Sequence, residues 1–201
     1  MTVEAGPNIV NDGLILNLDP DNTKSYPGTG SSITNMIDGT SQTLNGTFSK
    51  SSLGIRLTNT NASNIQSNVS RLNINTYASI RTIGVWVNII NVVNGYVLDS
   101  RSGSGIGYIW SSGIGTDWPN MSINGQDKIA SNITDSFSTG AWKFLTYESA
   151  ANFTDDVTMF ARFSNAEGMD CTFGEILFYN RVLTNSEINQ NFNALRGRYG
   201  I

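Results

Sequence analysis

The sequence predicts an all-β protein, an antiparallel β-sandwich with one short helix near the C-terminus. Only 14% of the 201 residues are charged, whereas an average soluble domain has about 25%. Asn, Ser, Thr and Gly instead make up about two fifths of the chain, and these residues are poor helix formers that are common in turns. The apolar residues mostly alternate with a period of two, which is the pattern of half-buried strands.

Four segments show this alternation most clearly: residues 14–18, 83–89, 142–147 and 157–163. Further short strands are expected at 43–48, 53–57, 95–99, 106–110, 120–124, 127–130 and 171–179. Asn-Gly and Thr-Gly dipeptides separate several of these strands, and such pairs favour turns. About ten to thirteen short strands with turn signals between them predict an antiparallel sandwich.

One helix is predicted near the C-terminus. Thr184 and Glu187 have the spacing of a capping box, and Leu183 and Ile188 occupy the flanking hydrophobic-staple positions. The apolar residues that follow recur on one helical face: they are Ile188, Phe192 and Leu195. We therefore expect a helix at about 185–196 that docks on the sandwich.

The composition excludes several classes of site. The chain contains no His, so it has no Ser-His-Asp triad, no Cys-His dyad and no imidazole metal ligand. Its formal net charge of −4 without a basic stretch argues against nucleic-acid binding. The single cysteine, Cys171, has no partner for an intramolecular disulfide.

Targeting signals are also missing from the sequence pattern. No apolar run approaches the ~20 residues that a membrane span requires, so no membrane insertion is expected. The segment Met1–Pro7 has neither a basic nor an apolar signal region. We therefore expect synthesis in a cytoplasm without a secretory signal peptide.

Four segments, in this order along the chain, carry a family resemblance. They are Gly13–Asp19 with Asn22–Gly28 after it, Thr82–Val87, Trp142–Tyr147 and Phe173–Thr184. Together they resemble laminin-G-like jelly-roll domains of the concanavalin A-like lectin/glucanase superfamily. The resemblance spans roughly residues 13–195. It implies one lectin-like jelly-roll domain over residues 1–201, with a core at about 13–183, the helix at about 185–196 and a short C-terminal tail.

A narrower resemblance concerns the two ends of this domain. The Asn22–Gly28 segment and the tail 191–201 look like the versions found in virion proteins of tailed bacteriophages. This implies a virion location and a non-enzymatic role as a capsid decoration or appendage module. The implied partners are other virion proteins and further copies of the chain, with weak multivalent glycan binding. Two alternatives stay open, a lectin or adhesin for host-surface glycans and a glycan hydrolase.

Carboxylate spacing argues against the hydrolase. Glycosidases need two carboxyl groups about 5–9.5 Å apart, and residues two apart on a strand share a face. None of the five glutamates has an acidic residue two positions away. Asp155 and Asp156 are adjacent and would point to opposite faces if extended, and the pattern of residues 152–156 predicts a turn. The chain is therefore predicted not to be an enzyme.

The segment Asp19-Pro20-Asp21-Asn22 is a candidate calcium site. Two carboxylates and an amide in one turn are ligands of the type that Ca²⁺ takes. The same residues also form an ordinary Asx-type turn with Pro fixing φ, and the spacing is not that of an EF-hand. Asp19 and Asp21 are therefore the calcium candidates, and no obligatory metal or other cofactor is predicted.

The candidate contact residues for a glycan or a protein partner lie in a Gly/Ser-rich stretch at 105–120. They are Tyr108, Trp110, Asp117, Trp118 and Asn120. Aromatic rings exposed on a loop can stack on the C–H face of a sugar or contact a protein. The alternative is an ordinary strand–loop–strand with Trp110 buried.

The chain ends are the candidate contacts with neighbouring copies or with the particle. In the tail these are Arg198, Tyr199 and Ile201, which combine a cation with two apolar groups on a flexible end. The N-terminal Met1–Pro7 segment is the other candidate. The alternative for both ends is a frayed, solvated terminus.

Overall fold

The computed structural model describes residues 7–59, 69–91, 95–101, 107–132 and 137–201. Within these ranges the chain forms thirteen strands, all paired antiparallel, and one helix. The elements are β1 (Leu14–Leu18), β2 (Ser32–Thr34), β3 (Ser41–Asn45), β4 (Phe48–Ser51), β5 (Gly54–Leu57), β6 (Arg71–Asn91), β7 (Tyr96–Asp99), β8 (Tyr108–Trp110), β9 (Gly113–Ile114), β10 (Asn120–Ile123), β11 (Ile129–Ala130), β12 (Trp142–Met159), β13 (Asp170–Tyr179) and α1 (Asn185–Leu195). The predicted fold class, an all-β antiparallel sandwich with one short C-terminal helix, is confirmed.

Two long strands, β6 and β12, pass from one sheet of the sandwich to the other. In sheet A the second half of β6 and the first half of β12 join β13, β1, β5, β4, β10 and β11. In sheet B the first half of β6 and the second half of β12 join β3, β2, β7, β8 and β9. Their mutual pairing is irregular between Glu148 and Val157, where both strands change sheet.

This crossing corrects one prediction. The pattern of residues 152–156 predicted a turn, but the segment lies inside β12, where Phe153 pairs with Ile80 and Asp155 pairs with Tyr77. The irregular register at this bend replaces the turn. Asp155 is buried and Asp156 is exposed, as expected for adjacent residues of an extended chain.

The main core lies between the sheets. One buried row crosses sheet B on its inner face: Leu44, Leu72, Met159, Leu98 and Ile109. It packs in one cluster with Val85, Leu145 and Ile176 of sheet A. Because opposing residues of antiparallel strands share a face, the register of this row also fixes which residues of sheet B point outward.

A second apolar cluster lies on the outer face of sheet A, under α1. Trp86 is fully buried there, with ring centroids 5.2 Å from Phe144 and 5.7 Å from Phe192. The helix contributes the predicted stripe of Ile188, Phe192 and Leu195 to this cluster. Trp86 and Phe144 are therefore core residues, as the alternation predicts, but they lie outside the two-sheet interface.

The helix begins as its sequence predicts. Thr184 Oγ1 accepts a hydrogen bond from the Glu187 N–H, and the Glu187 carboxylate accepts one from the Thr184 N–H at 2.8 Å. Arg181 donates to the same carboxylate at 2.6 and 3.0 Å. These bonds, with Arg181 the leading cause, lower the pKa of Glu187 to about 2. The hydrogen bonds among Arg181, Thr184 and Glu187 therefore hold the start of α1 against the end of β13.

No helix in the described ranges has the length and apolar character needed to cross a membrane.

Candidate functional site

The outer face of sheet B is polar, and no helix of the described chain covers it. One row of opposed residues crosses it: Ser32, Thr43, Asn73, Thr158, Asp99 and Tyr108. Ser32 and Thr43 are exposed and Asn73 is half-buried. The hydroxyl and amide groups of Ser32, Thr43 and Asn73 thus lie on this face where sheet A carries aromatic rings, while Thr158 and Asp99 of the same row are buried.

A shallow cavity of about 190 Å³ opens on this face between β6 and β12. Its lining residues are Asn73, Ile74, Asn75, Asp156, Val157, Thr158 and Phe163. The Phe163 side chain forms an apolar wall and is 37% exposed. The volume is below the ~300–1,000 Å³ of closed small-molecule pockets, so the cavity suits one part of a larger ligand lying across the sheet.

Hydrogen bonds hold the polar groups of this cavity in fixed orientations. Arg71 Nε donates to Asn73 Oδ1 at 3.1 Å. Thr76 Oγ1 donates to Asp156 Oδ1 at 2.5 Å. Asn75 Nδ2 donates to the Ser41 carbonyl at 3.0 Å. Among the described residues nothing forms a hydrogen bond with the second oxygen of Asp156, the amide Nδ2 of Asn73 or the amide oxygen of Asn75, so these atoms can contact a ligand.

An aromatic cluster continues the face across β7 and β8. Trp110 stacks on Tyr96 with ring centroids 5.7 Å apart and planes 17° apart. The Arg101 guanidinium lies 4.1 Å from the centre of the Tyr108 ring, a cation–π distance. Tyr108 and Trp110 are both partly exposed. Their rings therefore form a second apolar surface beside the cavity.

Asp99 connects the cluster to the cavity. Its carboxylate is fully buried and accepts from Arg101 Nε at 2.9 Å, from Arg101 Nη2 at 2.7 Å and from the Phe163 N–H at 3.2 Å. The same pairing raises the pKa of Arg101 above its ordinary value. The pair neutralises both charges and positions Phe163, whose ring lies 5.8 Å from the Arg101 guanidinium.

The five predicted contact residues separate in the structure. Tyr108 and Trp110 lie on the outer face of sheet B. The expectation of an exposed Trp118 is wrong, because this ring is 1% exposed and packs edge-on against Phe153 in the main core. Asn120 lies on β10 in sheet A, paired with Glu148.

Asp117 lies near the aromatic cluster, because its carboxylate approaches Gly107, the residue before Tyr108. A β-carbon at Gly107 would lie 3.1 Å from Asp117 Oδ2, and the backbone there has φ of +53°. Asp117 is partly exposed. It therefore borders the start of β8 without belonging to the row on sheet B.

The tail is not the flexible end that its sequence predicts. Arg198 Nη1 lies 2.9 Å from both carboxylate oxygens of Asp19. Tyr199 is 4% exposed, and its ring stacks on Trp86 with centroids 4.2 Å apart. These contacts outweigh the fraying expected of a chain end. Ile201 is 43% exposed, so contact with a neighbouring copy stays a prediction for it. Residues 1–6 of the other candidate segment lie outside the described residues.

The tail also accounts for the calcium candidates. Asp19 is buried and bound to Arg198, and Asp21 forms an exposed ion pair with Lys50 at 3.2 Å. Across the described residues no group of three or more Asp, Glu, Cys or His side chains could hold a metal ion. Asp19 is thus an ion-pair partner for the tail.

Beneath the tail lies a second carboxyl group, Glu175. Its Oε2 atom has no hydrogen-bond partner among the described residues and lies 3.6 Å from Arg198 Nη1. Burial, and then the charge of Asp19, raise the pKa of Glu175 to about 7. Tyr199 covers this group, because its hydroxyl accepts a hydrogen bond from the Glu175 N–H at 2.9 Å. The pair Asp19 and Glu175 is therefore closed off from a substrate by the tail.

A more open groove of about 470 Å³ lies at the edge of the sandwich. Its polar end is Tyr77, whose hydroxyl accepts hydrogen bonds from Asn35 and Gln42 at 3.1 Å each. Asp38 accepts from Thr40 and Asn35, and these bonds lower its pKa despite its partial burial. Tyr77 and Asp38 are thus already hydrogen-bonded by several neighbouring side chains, whereas Asp156, Asn73 and Asn75 each keep one polar side-chain atom without a hydrogen-bond partner among the described residues.

Sequence reasoning missed Asn73, Asp156 and Phe163. Residues 58–80 show little regular alternation of apolar and polar residues, so the sequence did not indicate Asn73. Asp156 belongs to the segment 152–156, for which a turn was predicted. Phe163 was expected to continue a strand, but β12 ends at Met159 and Phe160 has a φ of +66° that turns the chain outward. A positive φ on a bulky residue leaves no signal in the sequence.

No family model matches the sequence, and no curated protein matches it. Solved structures do share its fold. A mutant of Trypanosoma rangeli sialidase displaying trans-sialidase activity has a TM-score of 0.56 at 11% identity, over 94% of this chain and 34% of that chain. The receptor-binding domain of botulinum neurotoxin C/D mosaic serotype has a TM-score of 0.55 at 14% identity, over 91% of this chain and 51% of that chain.

Trypanosoma rangeli sialidase itself has a TM-score of 0.54 at 12% identity, over 92% of this chain and 33% of that chain. The chain thus spans between one third and about half of the length of these structures. At such low identity the likeness shows the fold alone. The shared fold is the antiparallel β-sandwich described above.

Proposed function

We propose that this chain is a non-enzymatic, lectin-like module that binds glycans on the outer face of sheet B. The observation that carries the proposal is the cavity beside Phe163. It adjoins the Tyr108 ring, over which Arg101 lies, and the Trp110 ring, which stacks on Tyr96, on a face that no helix of the described residues covers. The similar solved structures include a receptor-binding domain, which supports a recognition role for the fold.

The chemistry of this face suits a sugar chain. Partly exposed rings offer apolar surfaces to the C–H faces of sugar rings. Asn73, Asn75 and Asp156 offer hydrogen-bond groups to hydroxyls. A shallow site with one stacked ring and a few hydrogen bonds typically gives millimolar affinity, about −4 kcal/mol. Attachment by one copy would therefore be weak.

Display in many copies overcomes this weakness, since avidity can exceed single-site affinity by about 10²–10⁴. We propose that the module acts in this way on a tailed-phage particle, as a capsid decoration or appendage held by other virion proteins. The support is the resemblance of residues 22–28 and 191–201 to such proteins. The low charged fraction, 14%, also limits repulsion between packed copies.

Glycan binding is tested with the protein coupled to a tetrameric carrier and applied to immobilised oligosaccharides and bacterial surface polysaccharides. Phe163→Ala and Trp110→Ala should each weaken the apparent affinity at least about tenfold, or about 1.4 kcal/mol. The matched control is Ile129→Ala, which removes an apolar side chain that is 46% exposed on β11 of sheet A. Equal losses in all three variants, or no glycan bound by the wild type, would contradict the proposal.

The remaining parts of the proposal have separate tests. No reducing ends should be released from a panel of β-glucans and capsular polysaccharides, and release that Asp-to-Asn variants abolish would show an enzyme. Purified phage particles probed with an antibody to this chain should carry many copies. Particles without the chain would remove the virion role and leave glycan binding standing.

A further inference from the structure

We propose that the cavity between β6 and β12 selects uncharged saccharides that present neighbouring hydroxyl groups, and that it discriminates against acidic sugars. The inference rests on the proposed glycan binding and adds the chemical class of the ligand. It follows from the hydrogen-bonding groups of the cavity and from the charges around it.

Asp156 sets the first requirement. It is exposed, and its Oδ1 atom is occupied by the Thr76 hydroxyl. An ionised carboxylate only accepts hydrogen bonds, so a ligand that displaces water from its Oδ2 atom must supply a donor in its place. A sugar hydroxyl supplies one. A ligand carboxylate or sulfate has no proton to donate and meets a like charge instead.

Asn73 sets the second requirement. Its Oδ1 atom accepts from Arg71 Nε, so its Nδ2 group is left as a donor at the cavity. Asn73 lies on β6 and Asp156 on the neighbouring strand β12, and both line the cavity. A donor and an acceptor that line one small cavity can serve two adjacent hydroxyls, of which one accepts from Asn73 while the other donates to Asp156.

The nearby guanidinium groups do not offset the charge of Asp156. Arg101 is held by Asp99, and Arg162 lies 3.4 Å from the Glu167 carboxylate. Each of these cations is thus matched by a carboxylate. Neither cation therefore adds an unmatched positive charge beside the cavity.

Arg71 differs, because no carboxylate oxygen of the described residues forms an ion pair with it. Its side chain is buried, however, with 6% of the residue exposed. Its Nε and Nη1 atoms are committed to Asn73 and to the Val69 carbonyl at 2.9 Å. Burial lowers its pKa. Arg71 therefore orients the Asn73 amide from behind the cavity.

The test uses immobilised neutral hexose oligosaccharides and matched oligosaccharides in which uronic or sialic acids replace neutral units. Wild-type protein on a tetrameric carrier should bind the acidic members at least about tenfold more weakly at low ionic strength. This ratio should shrink as salt is raised, because exposed charges are screened. Asp156→Asn should weaken binding of the neutral members several-fold and bring the ratio close to one.

The control is Asp127→Asn, which removes an exposed carboxylate between β10 and β11. It changes the net charge equally and should leave the ratio unchanged. Stronger binding of the acidic members would overturn the inference and leave glycan binding intact. The same holds if Asp156→Asn behaves like the control. If no saccharide binds the wild type, the inference and the proposed function fall together.

Discussion

The two outer faces of this sandwich have the same strand geometry, but the helix and the tail cover one of them and no helix of the described residues covers the other. The outer face of sheet A carries Trp86 and Phe144, and α1 and the tail bury both rings. The outer face of sheet B carries Asn73 and Thr158 at corresponding central positions, and no helix of the described residues lies above them. The same strands, β6 and β12, contribute to both faces. Side-chain chemistry, and the element that covers it, therefore distinguishes the covered face from the face proposed to bind a ligand.

Charge is handled differently on the two faces as well. Under the tail, Asp19 and Glu175 both lie beside Arg198, and burial, followed by the charge of Asp19, raises the pKa of Glu175. On sheet B, Asp99 and Arg101 form a matched pair. On the covered face two carboxylates thus lie beside one guanidinium, whereas on the open face the Asp99–Arg101 pair is matched and Asp156 keeps an exposed negative charge.

The largest expected difference concerns two phenylalanines. Phe192→Ala should lower the free energy of unfolding by about 3–5 kcal/mol, because this residue of α1 is only 8% exposed and packs against Trp86 of sheet A. Phe163→Ala on sheet B should cost less than about 1 kcal/mol, because that ring lies at the surface. Urea denaturation of both variants measures the contrast. A loss below about 1 kcal/mol for Phe192→Ala would refute the docking of the helix.

Glu175→Gln should change how stability depends on pH. The pKa of Glu175 is about 7 when folded and 4.5 ordinarily, so the folded state binds more protons between these values. Wild-type stability therefore falls as the pH rises from about 4.5 to 7. The glutamine variant loses this dependence. Between pH 5 and 8 it should gain about 2–3 kcal/mol relative to the wild type.

Thermal or urea unfolding at several pH values measures this difference. Glu167→Gln is the matched control, since its carboxylate lies at the surface beside Arg162. Parallel pH profiles for wild type and Glu175→Gln would show that the carboxyl group is not buried beneath the tail.

Gly174→Ala tests the tail directly. A β-carbon at this position would lie 2.2 Å from the Tyr199 hydroxyl oxygen, so the tail must shift. We expect a loss of about 1–3 kcal/mol in unfolding free energy and increased fluorescence quenching of Trp86 by solutes. Gly197→Ala is the control, because a β-carbon there meets no atom within 4 Å. If both variants match the wild type, Tyr199 does not occupy this position.

The smallest expected effect is at the start of α1. Thr184→Ala removes the side chain that accepts from the Glu187 N–H and should cost about 1 kcal/mol. Ser186→Ala, two residues further along the chain at an exposed position, should change stability by less than about 0.5 kcal/mol. Chemical denaturation distinguishes the two, and equal losses would mean that the cap is not formed.

Local signals predicted local structure well. The capping box at Thr184 and Glu187 and the stripe through Phe192 are read from spacings of three or four residues, and the helix appears at Asn185–Leu195. Strand alternation likewise located both halves of the core. Tyr108 and Trp110 were contact candidates because they are aromatic residues in a Gly/Ser-rich stretch, and both are partly exposed, so contact with a ligand or partner stays a prediction for them.

The errors arose where distant segments decide the outcome. Trp118 occupies the core because Phe153 reaches it, and Tyr199 is held by Trp86 and Glu175. Asp156 reaches the surface only because β12 changes sheet with an irregular register. None of these contacts is visible in a window of sequence.

By itself, then, the sequence determined the all-β class, the strand periodicity, the capped helix and the absence of histidine chemistry. These depend on backbone geometry and on residue types within a few positions. Tertiary structure alone decided that Asn73 lies opposite Thr158, that Thr158 lies opposite Asp99, and that the helix covers sheet A. The physical reason is that cross-strand register is set by burial of apolar rows from residues far apart in the chain, and a one-residue shift would exchange the two faces.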